Sequence, residues 1–371
     1  MHCVIHIGTE KTATTTIQEF LTINKPKLAE LGILYPKSSG KTGSRNIAVS
    51  AYGDDRRDDL TTLFAINSSE SLSEFRKNTL DELESEIEAH STTHPFESLV
   101  VSSEHIQSRL TTTEEIQRLK THLTQLGASS FTILVYLRSP AEIANSRYST
   151  HIKSGGTLDS PREPTHPYYQ NLCNHKATLL RYASIFGGEQ VIPKLFDKTE
   201  LIDGCILSDF RDAVGISSDV QLQTPQNSNQ SLSHLGIQIL KQFNKRVPRF
   251  LDGKPNPLRD YINFYFEKHF AGSKYQMPES LREKFNQEFA ESNEWVRQTH
   301  FPHRETLFPK ETRPDHTLKQ PDDSLDAKQL GDFLAHIWLD KSKGIRTGDP
   351  DNYIPTFPNE EESHKRSYDE P

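Results

Sequence analysis

The amino-acid sequence predicts an α/β fold of three layers, in which a mostly parallel central sheet is flanked by helices. Four short runs rich in apolar and β-branched residues are predicted strands, at residues 3–7, 98–101, 131–137 and 190–196. Helical patterns lie between these runs, and strands joined through helices usually pair in parallel. Strands of such a sheet are buried on both faces and are continuously apolar, as residues 131–137 are.

The chain opens as strand, loop and helix. Residues 3–7 run into a Thr-rich turn at Gly8, and apolar side chains then recur with helical spacing from Ile17 to Leu28. Residues 38–60 are rich in Ser, Gly, Arg and Asp and have no clear period. Residues 155–167 carry Gly and Pro and are predicted to form a loop. The remaining predicted helices span residues 72–89, 115–126, 141–153, 172–186, 206–214, 232–243 and 278–291.

The composition changes near residue 308, where Pro, Asp, Lys and Glu become frequent. We therefore predict one α/β domain over residues 1–310 and a polar C-terminal extension over residues 311–371. One helix is predicted in this extension, at residues 324–339. Residues 341–371 have few apolar side chains with which to build a core, so a disordered tail is expected there.

The net charge and the cysteines indicate which ligands and which cellular compartment to expect. The formal net charge of −8 argues against general binding to nucleic acids or anionic membranes, so an anionic ligand must be met by local groups. The three cysteines, Cys3, Cys173 and Cys205, lie far apart and suit a reducing compartment. No signal peptide precedes the first predicted strand, and no run approaches the ~20 apolar residues of a membrane span. A cytoplasmic protein is expected.

The segment from Gly8 to Thr16 has the character of an anion-binding loop. It lies between a predicted strand and a predicted helix, where free backbone N–H groups and the helix dipole face an anion. Lys11 adds a positive charge inside the loop, and the threonine hydroxyls add short donors. The alternative is a Thr-rich helix start with an exposed lysine.

The loop does not match the nucleoside-triphosphate motif G-x-x-x-x-G-K-[ST]. Lys11 stands three residues after Gly8, and no glycine directly precedes it. No predicted strand ends in an aspartate suited to bind magnesium in the way those enzymes require. Hydrolysis of ATP or GTP is therefore the weaker interpretation.

The order of strand, glycine, Lys-Thr-x-Thr-Thr and helix resembles the 5′-phosphosulfate loop of sulfotransferases that use 3′-phosphoadenosine 5′-phosphosulfate (PAPS), particularly bacterial and carbohydrate-directed ones. The resemblance implies a P-loop-type fold in which Lys11 contacts the 5′-phosphate and the bridging oxygen. The implied cofactor-binding residues of this loop are Thr9, Glu10, Lys11, Thr12, Ala13, Thr14, Thr15 and Thr16. Many members have glycine at the position of Ala13, so this residue must adopt a conformation that a Cβ allows.

A second segment extends the resemblance. In this family an arginine that ends a central strand and a serine eight residues later share the 3′-phosphate of the nucleotide. Arg138 follows the strand at residues 131–137, and Ser146 has that spacing in the next predicted helix. Arginine suits the task, since its planar guanidinium binds phosphate bidentately and stays charged. The alternative is an arginine paired with a nearby carboxylate and an ordinary helix serine.

Glu104 and His105 are the candidates for a catalytic base. They follow the predicted strand at residues 98–101, at the edge where open α/β sheets bind ligands. Related sulfotransferases use a glutamate or a histidine from this region, which implies the same role here. Neighbouring strand residues point to opposite faces, so both are not expected to reach one sulfur atom. Glu104 is our first choice and His105 the second, with Lys11 stabilising charge on the leaving oxygen. No metal is required.

The sequence thus predicts transfer of a sulfuryl group from PAPS to a hydroxyl or amine of a small-molecule or glycan acceptor. The product is adenosine 3′,5′-bisphosphate. Residues 38–70 and 154–170 are expected to form the acceptor side. The charge run at residues 54–59 is interpreted as solvated surface, with the lining of that cleft as the alternative. Two other functions stay open: a P-loop kinase that uses ATP and magnesium, and an inactive nucleotide-binding homologue.

Overall fold

The structure, a computed structural model, describes residues 1–40, 43–226, 231–251, 254–309 and 327–342. The described residues divide into two compact units. The first contains residues 1–40, 43–151, 158–226 and 276–309, and the second contains residues 152–157, 231–251, 254–275 and 327–342. The predicted boundary at residue 310 and the predicted disordered tail from residue 343 onward lie outside the described residues, so both stay predictions.

Seven strands are described: β1 (His2–His6), β2 (Ile33–Leu34), β3 (Ser98–Ser102), β4 (Ser130–Leu137), β5 (Val191–Leu195), β6 (Phe250–Leu251) and β7 (Lys254–Pro255). The first five form one sheet in the order β2-β3-β1-β4-β5, and every neighbouring pair is parallel. β1 is central, with His2 opposite Ser98 on one side and Ser130 on the other. β6 and β7 form a separate antiparallel pair in the second unit.

The described helices of the first half of the chain are α1 (Thr14–Ile23), α2 (Lys25–Glu30), α3 (Arg45–Ser50), α4 (Asp59–Leu63), α5 (Ser69–Thr93), α6 (Glu104–Arg109), α7 (Thr113–Gln125) and α8 (Pro140–Lys153). Those of the second half are α9 (Pro167–Cys173), α10 (His175–Phe186), α11 (Ile206–Ala213), α12 (His234–Arg246), α13 (Ile262–His269), α14 (Glu279–Glu288), α15 (Ala290–His300) and α16 (Ala327–Ser342). None of these helices is long and apolar enough to cross a membrane.

The sheet separates two apolar cores, which gives the first unit three layers. Side chains alternate along β1: Cys3 and Ile5 belong to the core that packs under α3, α5, α7 and α10, whereas Val4 faces the core under α1 and α11. Residues of β4 divide in the same way, with Ile133 in the first core and Leu134 in the second. The predicted three-layer α/β fold with a parallel sheet is confirmed.

Helix caps explain where the structure departs from the predicted elements. Residues 172–186 were predicted as one helix, but α9 ends at Cys173 and α10 starts at His175. Asn174 causes the break, because its side-chain oxygen accepts a hydrogen bond from the amide of Ala177 and caps α10. Strand β2 was not predicted, since two residues are too few to form a periodic pattern.

Candidate functional site

The loop between β1 and α1 passes directly against the start of α6. Gly8 has φ +99°, a conformation that favours glycine. A Cβ at Gly8 would lie 3.1 Å from the Cα and 3.2 Å from the Cβ of Glu104, tighter than ordinary van der Waals contact. Glycine therefore lets the loop and the first residue of α6 approach each other, which places Glu104 beside the predicted anion-binding segment.

Two threonines fix the shape of the loop, and one of them fastens it to the sheet. The amide and the hydroxyl of Thr9 both donate to the carbonyl oxygen of Tyr136 in β4, at 2.9 and 3.1 Å. The hydroxyl of Thr12 donates to the carbonyl oxygen of Thr9 at 2.7 Å. Both threonine side chains are buried. Their hydroxyls thus hold the loop backbone in shape for whatever the loop binds.

Helix α1 starts with free donors. Ala13 is the residue before its first turn, and no side chain caps this end. Within the described part of the chain, the amides of Thr14, Thr15 and Thr16 have no acceptor. The partial positive charge of the helix dipole adds to these donors. This end of the helix can therefore bind a phosphate or sulfate group.

Ala13 adopts the left-handed conformation, with φ 59° and ψ 28°. The sequence led us to expect a conformation that a Cβ allows, and the left-handed region is the least favoured of the regions that do. In this region the Cβ approaches the following carbonyl oxygen and costs about 1–2 kcal/mol. The chain keeps the backbone shape that glycine would adopt and tolerates the strain of a methyl group. Lys11, at φ 69°, is left-handed as well.

Lys11 and Arg138 lie side by side, although 127 residues separate them in the sequence. Nη1 of Arg138 donates to the carbonyl oxygen of Lys11 at 2.7 Å. Nζ of Lys11 donates to the hydroxyl of Thr150 in α8 at 2.9 Å. Ser146 lies one helical turn before Thr150, and its carbonyl oxygen accepts from the Thr150 hydroxyl at 3.2 Å. The loop, the end of β4 and one face of α8 therefore meet at one place.

Arg138 is half-buried and held from several sides. Nη2 lies 3.4 Å from Oε2 of Glu142, and Nη1 of Arg282 binds the other oxygen of that carboxylate at 2.6 Å. The guanidinium also stacks over the ring of Phe196 at 5.6 Å. Nε2 of His175 lies 2.8 Å from the carbonyl oxygen of Arg138. The ion pair with Glu142 is the pairing that the alternative interpretation of Arg138 predicts, and the contacts together also fix the direction of the side chain, which a bidentate phosphate ligand requires.

Glu104 and His105 are the first two residues of α6, not the end of a strand. β3 ends at Ser102, and the hydroxyl of Ser103 caps α6 by accepting from the amide of His105. The expectation that the two side chains point to opposite faces of a strand is therefore wrong. Nε2 of His105 lies 4.0 Å from Oε1 of Glu104, so the two groups share one location.

The surroundings of the two candidate bases differ. Oε2 of Glu104 accepts from Nε2 of Gln18 in α1 at 2.9 Å, which holds the carboxylate beside the first turns of that helix. Burial lowers the pKa of His105, and the nearby charges of Glu104 and Glu10 offset only part of this effect. The imidazole is therefore neutral near pH 7, and it is able to accept a proton.

Glu10 has a different environment from the rest of the loop. Its buried carboxylate lies 3.2 Å from Nε of Arg147 and accepts from the hydroxyl of Tyr168 at 3.0 Å. Burial alone raises the pKa of this carboxyl, but the charge of Arg147 and smaller contributions from neighbouring groups outweigh burial and hold the pKa below its ordinary value. The side chain of Glu10 anchors the loop to α8 and α9, so only its backbone is available to a ligand at the loop.

A cavity of about 500 Å³ opens beside this anchor. It is lined by the predicted acceptor regions, since Asp59 comes from residues 38–70 and Arg162 and Tyr168 come from residues 154–170. Arg109 of α6 and Arg147 of α8 complete the charged lining. The volume matches that of ordinary small-molecule sites.

A larger groove, of about 1500 Å³, lies between α2, β2 and α5. Its charged lining consists of two lysines and four carboxylates, namely Lys25, Lys37, Glu30, Asp81, Glu82 and Glu86. An excess of carboxylates repels an anionic ligand. We therefore place the candidate site at the loop and the smaller cavity.

Sequence reasoning missed Gln18, Thr150 and Arg147. Gln18 lies four residues after Thr14 in α1, and Thr150 lies four residues after Ser146 in α8, so helical spacing alone places each beside a predicted site residue. Arg147 carried no such signal, because its partner Glu10 lies more than a hundred residues away in the sequence.

The comparisons with known proteins are distant. No protein-family model matches the chain. A protein of Archaeoglobus fulgidus described as uncharacterized is 26% identical over 174 residues, which are 46% of this chain and 45% of that protein. The chain thus matches less than half of that relative's length. Among solved structures, a sulfotransferase from Alicyclobacillus acidocaldarius aligns with 80% of this chain and 94% of its own, at 16% identity and a TM-score of 0.39. A similarity at this level carries no argument, so function is argued from the site.

Proposed function

We propose that this protein is a sulfotransferase that moves the sulfuryl group of PAPS to a hydroxyl or amine of a carbohydrate-like acceptor. The observation that carries the proposal is the contact between Arg138 and Lys11, with Nη1 of Arg138 2.7 Å from the Lys11 carbonyl oxygen. It supports the proposal because it holds the two anchors predicted from sequence side by side. A nucleotide with phosphate groups at both ends needs two such cationic anchors.

The geometry supports the following binding roles. The amides of Thr14, Thr15 and Thr16 at the start of α1 hold the phosphosulfate end, together with the loop backbone from Glu10 to Ala13. Arg138 and the hydroxyl of Ser146 hold the 3′-phosphate. The predicted cofactor-binding residues thus divide into a loop that binds one end of PAPS and a pair that binds the other.

The reaction is an in-line displacement at sulfur. The acceptor oxygen forms a bond to sulfur while the bond from sulfur to the phosphate oxygen of PAPS breaks, which releases adenosine 3′,5′-bisphosphate. Glu104 takes the proton of the attacking hydroxyl, with His105 as the alternative base at 4.0 Å. Nζ of Lys11 exchanges its bond to Thr150 for one to the leaving oxygen and stabilises the charge that develops there.

Ligand-dependent thermal stability tests the nucleotide preference. We expect adenosine 3′,5′-bisphosphate to raise the melting temperature more than ATP with magnesium does. A larger effect of ATP with magnesium rejects the proposal and favours the kinase.

Transfer of labelled sulfate from PAPS to a panel of sugars, phenols and amines then tests turnover. Binding of the bisphosphate without transfer to any acceptor favours an inactive nucleotide-binding homologue. The same panel separates transfer to hydroxyls from transfer to amines, which the site geometry leaves equal.

A further inference from the structure

We propose that the acceptor carries an anionic group in addition to the group that is sulfated, and that Arg162 binds this anion. The inference rests on the proposed function, since it assigns the 500 Å³ cavity beside the Glu10–Arg147 pair to the acceptor. The chemical class is a ring-shaped hydroxyl compound that bears a carboxylate, phosphate or sulfate.

Positively charged side chains outnumber carboxylates in the lining of this cavity. Three arginines, Arg109, Arg147 and Arg162, line the cavity together with one carboxylate, that of Asp59. Nη2 of Arg109 binds Asp59 at 2.9 Å, and Arg147 is paired with Glu10. Two of the three arginines are therefore neutralised within the protein.

Arg162 is the exception. It is exposed, and Nη1 lies 2.7 Å from Nε2 of His166, a partner that carries no negative charge. No carboxylate of the described residues forms an ion pair with Arg162. In a chain with a net charge of −8, an arginine at a cavity rim without a carboxylate partner is a local binding group for an anion.

The surroundings of His151 indicate that the electrostatic potential inside the cavity is positive. Burial lowers the pKa of its imidazole, and the positive charges of Arg147 and Arg162 lower it further. Its Nε2 is buried and has no hydrogen-bond partner within the described residues. A ligand that is negative or rich in oxygen is attracted by these positive charges, and one of its oxygen atoms can form a hydrogen bond with Nε2 of His151.

Aromatic side chains supply the rest of the surface. Tyr148, Tyr168 and Tyr169 line the same cavity, and the guanidinium of Arg147 lies 5.5 Å from the centre of the Tyr168 ring. Tyr148 and Tyr169 are buried, so Tyr168, which is partly exposed, is the aromatic side chain that a ring of the acceptor can contact. A ring with one anionic substituent therefore matches the lining better than a flexible neutral chain.

Matched acceptor pairs test the inference. One pair is methyl glucuronide and its amide, and the other is para-hydroxyphenylacetate and its amide, so that each acid has the same acceptor hydroxyls as its partner and differs from it in charge. With PAPS and labelled sulfate, we expect kcat/KM for the acid to exceed that of the neutral partner by about tenfold, the value of one charged hydrogen bond. Equal rates, or preference for the neutral partner, overturn the inference.

Three variants locate the effect. Arg162→Gln should lower the preference for the acid about fivefold or more, and Arg162→Lys should retain part of it. Arg246→Gln removes an exposed arginine of α12 that lines neither cavity, and it should leave the preference unchanged. An unchanged preference in Arg162→Gln overturns the assignment to this residue.

If neither pair of acceptors is sulfated, ligand binding tests the inference instead. The acids should then raise the melting temperature of the complex with adenosine 3′,5′-bisphosphate, and the neutral partners should not. No effect of either acid overturns the inference and leaves the nucleotide site intact. Failure of the bisphosphate itself to bind is a failure of the proposed function, so the two results are distinguishable.

Discussion

Arg138 donates a hydrogen bond from Nη1 to the carbonyl oxygen of Lys11, and the two atoms are 2.7 Å apart. The bond joins the residue after β4 to the loop after β1, which are neighbours in the sheet. The parallel pairing of two adjacent strands therefore explains the contact: it brings the two carboxyl ends to one edge, where each strand is followed by a cationic residue.

Replacing Arg138 tests whether this guanidinium holds phosphate. Arg138→Lys keeps the charge and loses the planar fork, so we expect affinity for adenosine 3′,5′-bisphosphate to fall by about tenfold or more. Isothermal titration calorimetry measures the change. Arg246→Lys, at an exposed position of α12, is the matched control and should bind as the native protein does. Native affinity in Arg138→Lys contradicts the proposed role.

Replacing Glu104 separates binding from turnover. Glu104→Gln removes the proton acceptor and keeps a side chain that Gln18 still binds through an oxygen. We expect bisphosphate affinity to survive and sulfate transfer to fall by roughly 10²–10⁴-fold. Glu19→Gln, an exposed residue of α1, is the control.

The second candidate base needs its own variant. If Glu104→Gln keeps full activity while His105→Gln loses it, the base is His105. The lowered pKa of His105 already leaves its imidazole neutral near pH 7. Loss of activity in neither variant contradicts both assignments.

The sequence predicted the sheet better than the site. The strands of residues 98–102 and 130–137 were found because buried strands leave uninterrupted apolar runs. The start of α6 at Glu104 was missed, since the capping serine, Ser103, is one of two adjacent serines that a strand end also tolerates. The sequence also did not predict the backbone conformation of Ala13, because alanine as a residue type gives no indication of φ 59°.

The left-handed conformation of Ala13 predicts how a substitution at this position changes the free energy of unfolding. Ala13→Gly removes about 1–2 kcal/mol of steric strain and loses about 0.4–1 kcal/mol through the freer unfolded chain. We expect a net gain of about 0.5–1 kcal/mol in the free energy of unfolding, measured by urea denaturation. Ala89→Gly, in the exposed part of α5, should destabilise the protein by about 1 kcal/mol instead. Destabilisation of similar size by both variants contradicts the strain at Ala13.

The buried histidines predict the direction of the pH dependence of stability. Burial lowers the pKa of His6 to about 3 and that of His175 to about 4. The unfolded chain takes up protons near the ordinary pKa of about 6.5, whereas the folded protein does not, so stability is full above that pH and falls as the pH drops toward the folded values. From pH 6.5 to 5, each such histidine should cost up to about 2 kcal/mol of unfolding free energy.

Urea denaturation at several pH values between 5 and 8 measures this slope in a range where carboxylates such as Glu10 stay ionised. His175→Gln should flatten the slope, because it removes one group that the unfolded chain protonates and the fold keeps neutral. The variant also loses the bond from His175 to the carbonyl oxygen of Arg138, so its stability at pH 8 should be lower than that of the native protein. An unchanged slope together with that loss means that His175 takes up its proton in the folded state, which contradicts the lowered pKa of His175.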